Sequence, residues 1–168
     1  MYNINNAEKS YAYSKACGII GKSFVGKRIW KLESVGRLSE LDRMVFPDTS
    51  RDLPEKELLV DLENRIISRA VHSIISIVNC FYDPPEFFTL LLRSYEYADL
   101  KSAILSVFDK EKSPPAHTDL GRFQTVHFLK WPDIAAMIKD TEFSFLLNEK
   151  DLLKQKDVTL ETVVDIHY

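Results

Sequence analysis

The chain has 168 residues, 45% hydrophobic and 28% charged with five glycines, which fits one globular domain and excludes both a disordered chain and a turn-rich β-sandwich. A formal charge of −3 and a pI near 5.8 supply no general basic field for a phosphate backbone, so nucleic-acid binding is not expected. Cys17 and Cys80 have no CxxC spacing and read as reduced, buried thiols of a cytoplasmic protein.

The N-terminal MYNINNAEKSYAY is polar and has no apolar core of a secretory signal. Residues 7–46 then read as two or three short helices, divided near Gly21 and Gly36 and closed by Phe46, Pro47 and Asp48. From about Leu53 to Phe81 the apolar residues Leu59, Leu62, Ile66, Ala70, Ile74, Ile77 and Phe81 recur at steps of three and four, which predicts one long helix with that face buried. Asp52 followed by Glu55 predicts a capping box, with Pro54 in the first turn where its missing N–H costs nothing. A polar stripe, Asp61, Arg65, Arg69, His72, Ser76 and Asn79, runs opposite and is either a solvated face or a partner surface. The most apolar part, Ala70 to Tyr82, is broken by His72, Ser73, Ser76 and Asn79 and falls short of the roughly 20 apolar residues that span a bilayer.

Asp83, Pro84, Pro85 and Glu86 stop this helix and start the next, which carries Phe88, Leu91, Tyr95, Leu100, Ile104 and Phe108 to about residue 109. So short a turn predicts an antiparallel hairpin of the two helices as the organising core of a mainly α, all-helical domain covering residues 1–168. The segment DKEKSPPAHTDLGRF reads as a loop, flexible at about 109–120. Pro132 is expected to open a short helix over DIAAMIKD and Thr141 to cap another. Thr159 would begin a third, with Leu160, Val163, Val164 and His167 on one face and no stop signal before Tyr168.

Chemistry-bearing patterns are sparse. ACGIIGKS, residues 16–23, ends like a phosphate-binding loop, but Ala16 stands where the strict pattern has Gly and EKSYAYSK before it is no hydrophobic strand. Leu58-Leu59-Val60-Asp61 mimics a strand ending in a magnesium-binding Asp, yet lies inside the helical period. His72, His117, His127 and His167 show no HxH or HExxH spacing and have no neighbouring Cys, so no metal or other cofactor is expected, and no GxSxG-like turn marks a nucleophile.

Three segments carry a resemblance. LLLRSYEYADLK, residues 90–101, with Arg93, Tyr95, Glu96, Leu100 and Lys101 in place, is similar to the repeated helix motif of the C/d subunit family of V-type and A-type rotary ATPases. YAYSKAC, residues 11–17, resembles that family's Tyr-rich opening helix, and SELDRMVFPDT, residues 39–49, its following short helix, in the same order and spacing. TLETVVDIHY at the C-terminus resembles the opening of a later helix. Cys17 and Ile19 stand where many members carry arginines, Ala98 and Asp99 where they carry a His-Asn-like pair, and residues 109–158 match nothing in the motif set.

The resemblance implies a non-enzymatic rotor subunit without cofactors, peripheral on the cytoplasmic face. It would couple the central-stalk subunits to the membrane proteolipid ring during ATP-driven proton or sodium transport. Because members consist of repeated helical modules, the chain is expected to correspond to about the first one, and either to self-associate through the face a later module would cover or to have a frayed C-terminal segment. Arg65, Arg69, His72, Arg93 and Glu96 are the residues expected to serve as partner contacts or as a structural motif. A stand-alone helical adaptor, or a small nucleotide-binding enzyme using ACGIIGKS, are the alternatives.

Overall fold

A computed structural model describes residues 5–147. The chain is mainly α, with no strand among the described residues. It forms two compact units divided between Leu92 and Arg93. The expected segment 159–168, with its helix and unclosed end, lies outside the described residues.

In the first unit, α1 (Asn6–Lys22) starts at Asn5, whose side chain accepts the Ala7 N–H at 3.1 Å. It ends one residue after Gly21, where the Ser23 N–H and hydroxyl return to the carbonyls of Ile20 and Ile19 and the Arg28 guanidinium donates to the Gly21 carbonyl. A 3-10 turn (Gly26–Ile29) leads into α2 (Trp30–Glu33). Gly36 follows, its N–H held by the Glu40 carboxylate at 3.1 Å. Next comes α3 (Leu38–Val45), closed by Phe46 as expected.

Two expectations about the long helix need correction. α4 runs from Glu55 to Val78, and Pro54 is its N-cap with ψ of 145°, so no capping box forms. The residues before it are tied down elsewhere: the Arg51 N–H donates to Asp42 at 2.7 Å and its guanidinium to Asp61. That anchoring keeps the chain extended through Pro54 and leaves Asp52 too early to cap. The buried line is Leu58, Leu62, Val71 and Val78, whereas Leu59 and Ile66 are 43% and 42% exposed. α1 and α3 are the helices packed on α4, so the inward face is turned by about one residue from the most regular apolar row.

α5 (Glu86–Phe108) follows the Asp83–Pro85 turn as expected and carries the chain from the first unit into the second. Its end is a Schellman closure: the N–H groups of Glu111 and Lys110 reach the carbonyls of Ser106 and Val107, with Lys110 at φ 55°. The core of the second unit gathers Leu100, Ala103 and Ile104 of α5 with Val126, Phe128, Met137, Ile138, Phe143 and Leu146. Residues 109–120 form no helix, as expected. Short 3-10 turns (Gly121–Phe123 and Phe128–Lys130) carry Val126 and Phe128 inward. α6 (Ile134–Ile138) is capped by Asp133, which accepts the Ala136 N–H at 3.0 Å. Thr141 caps a 3-10 turn (Glu142–Leu147) through Phe143, where an α-helix was expected.

Candidate partner-binding site

The polar stripe of α4 divides according to depth. Arg65 is turned inward: its guanidinium lies 4.0 Å from the Phe46 ring centroid and donates to Asp42 at 2.7 Å, Asp61 at 3.2 Å, and the carbonyl and hydroxyl of Thr49 at 2.8 and 3.0 Å. Asp42 is 1% exposed, and its second oxygen takes the Arg51 N–H. The Asp42 pairing compensates a carboxylate that would otherwise be left buried and unpaired, and the bonds to Thr49 let the same arginine hold the 46–51 segment onto the helix.

One turn on, Arg69 is exposed; it donates to the Val45 carbonyl at 2.8 Å and flanks Phe46 at 5.6 Å. It lies between two hollows. One, of about 500 Å3, is lined by Phe46, Asp48, Ser68 and the exposed His72 among others. The other, of about 280 Å3, has an apolar lining of Ile19, Phe24, Val45, Ile66 and Ala70, with Lys22, Ser23 and Ser73. Cations beside an apolar surface suit a partner segment that offers a carboxylate next to aliphatic side chains.

Arg93 and Glu96 form a different construction in the second unit. Glu96 is fully buried. Its Oε1 accepts the N–H groups of Thr125 at 2.5 Å and Val126 at 2.7 Å, and its Oε2 accepts from Arg93 at 2.5 Å and the Thr125 hydroxyl at 2.9 Å. Arg93 also donates to the Phe123 carbonyl at 3.0 Å and pairs with Glu142. The pair is an internal clamp that fixes residues 123–126 onto α5. Periodicity gave no sign of it, because Glu96 replaces an apolar residue on the inward row of Leu92, Leu100 and Ala103. Asp42, Thr49 and Thr125 were likewise invisible, since their roles depend on partners 9 to 32 residues away.

Residues 16–22 lie within α1 and Leu58–Asp61 within α4, so neither has the backbone of a phosphate loop or of a strand ending at a magnesium site. Cys17 is exposed, which corrects the expectation of a buried thiol; both cysteines are free. Among the described residues no His, Cys, Asp or Glu group is placed to hold a metal, and no helix is long and apolar enough to cross a membrane.

No protein-family model matches the chain, and no solved structure does. Over 135 residues, 80% of its length, the chain is 27% identical to an uncharacterized protein of Treponema pallidum (strain Nichols), and it spans about 40% of that protein's length.

Proposed function

We propose that the chain serves as a non-catalytic central-rotor subunit of a V-type or A-type ATPase, coupling the central stalk to the proteolipid ring on the cytoplasmic face. The observation that supports this reading is the behaviour of residues 90–101. The segment that carries the resemblance is also the part of α5 from which Arg93 and Glu96 clamp the second unit. A scaffold that passes torque through packing needs helices whose connecting segments are fixed to them, and both units have that property. Of the three candidate contacts on the α4 stripe, Arg69 and His72 are the exposed ones and would meet a stalk partner.

Affinity purification of the tagged chain from native membranes tests the reading: ATPase stalk and ring subunits should co-purify, and Arg69→Glu should reduce their recovery while thermal stability is kept. Recovery of the chain without any ATPase subunit would leave a stand-alone adaptor as the better description.

A further inference from the structure

The second unit also holds a hollow of about 170 Å3 that the Arg93–Glu96 clamp does not use. Pro114 and Pro115 line it together with Phe128, Leu129 and Trp131, and Asp99 is the carboxylate among these apolar groups. The arrangement is braced. The Thr118 N–H donates to Asp99 at 2.7 Å, the Trp131 indole donates to the Ser106 hydroxyl at 3.0 Å, and the His117 ring stacks on Phe128 at 4.6 Å. Leu129 lines the hollow yet is 99% exposed.

Burial pushes the Asp99 carboxyl above its ordinary range; hydrogen bonding from Thr118 and the electrostatic influence of the nearby His117 pull it down, while Glu96 adds to the rise. Neither lysine nor arginine is among the described residues that line the hollow. A metal ion would need several oxygen or nitrogen ligands, and no such group exists among the described residues. An apolar occupant would desolvate the carboxylate further without compensating it. The complement is an organic cation on an aliphatic stem, whose charge meets Asp99 while its stem and face pack on proline and aromatic rings.

We propose that this hollow is a docking pocket for the protonated side chain of a lysine or arginine of a partner protein, with Leu129 as the apolar contact beside it. The pocket stands apart from the rotor reading and is tested without it. The isotope-labelled full chain is titrated with acetyl-Leu-Arg-Leu-amide and acetyl-Leu-Lys-Leu-amide, against matched peptides containing citrulline and norleucine, while the Trp131 indole N–H is followed by NMR. The cationic peptides should give a saturable shift with a Kd of about 1–10 mM. Asp99→Asn, which keeps an acceptor for Thr118, should weaken binding about five-fold or more. Leu129→Ala should weaken it about two-fold and cannot disturb the fold from so exposed a position. The proposal is overturned by equal binding of the neutral peptides, by no saturable shift at Trp131, or by affinity unchanged in folded Asp99→Asn. Tetramethylammonium binding as tightly as the peptides would also overturn it, assigning the hollow to small amines instead.

Discussion

Removing the Glu96 carboxylate tests the logic of the second unit most directly. Glu96→Ala takes away the acceptor of the Thr125 and Val126 N–H groups, and Val126 is 2% exposed, so water does not replace it there. Each stranded donor costs about 1–3 kcal/mol. Arg93 is not orphaned, because Glu142 and the Phe123 carbonyl still receive it. The net cost is therefore near the middle of the range for breaking a buried ion pair, about 4 kcal/mol. Glu96→Gln keeps an oxygen for both backbone donors but turns an amide NH2 toward the Arg93 guanidinium, and should cost about half as much, roughly 2 kcal/mol. Urea unfolding followed by Trp131 fluorescence, in a background where the exposed Trp30 is Phe, gives both values, and amide exchange at residues 125 and 126 localises the damage. A loss under about 1 kcal/mol for Glu96→Ala, with both amides still protected, would refute the clamp.

In the first unit, Arg65→Lys should cost about 2 kcal/mol by urea unfolding, because an ammonium cannot serve Asp42, Asp61 and Thr49 together. Ile66→Asp, which the apolar row alone would rank as severe, should cost under about 1 kcal/mol in thermal unfolding because Ile66 is 42% exposed. Calorimetry should detect no binding of ATP with magnesium, and Lys22→Ala should change nothing, since residues 16–22 are helical. Asp99 has a folded pKa raised above its ordinary 3.8, so its stabilising contribution is complete below the ordinary Asp range and is lost as pH rises through the folded value. Asp99→Asn should flatten the stability profile from about pH 4 upward and leave the variant slightly the more stable at neutral pH, by under about 1 kcal/mol after solvent screening.

How much of this was legible depends on whether the cause was local. The extents of α1, α4 and α5, the Phe46 stop and the Thr141 cap follow from periodicity and from Gly, Pro and cap residues, which act within a few positions. The facing of α4 was not legible. Leu59 and Ile66 form as regular a row as Leu58 and Leu62, and only the placement of α1 and α3 decides which row turns inward. The cap at Asp52 failed for a similar reason: the local pattern was correct, but Arg51 is held by Asp42 of α3 and by Asp61, further along α4. Of the five candidate residues, Arg69 and His72 keep the exposure expected of contacts, whereas the work of Arg65, Arg93 and Glu96 depends on partners up to 32 residues away.

Burial is also what separates the two kinds of arginine in this chain. As an i,i+3 pair on an exposed helix, Arg93 and Glu96 would contribute only about 0.2–0.5 kcal/mol. Taken inside, the carboxylate receives main-chain donors as well as the guanidinium, and replacing it then strands the backbone. Arg65 and Asp42 repeat the device across 23 residues, with the Arg51 N–H as the captured donor. Both arginines are thereby committed to holding a connecting segment on its helix, and a charge change at either would confound lost binding with lost structure. The Arg69 guanidinium donates to the Val45 carbonyl beside its ring contact with Phe46, and it stands exposed between two hollows. Charge reversal there leaves the clamps intact, which makes it the substitution that separates a partner surface from a merely solvated face.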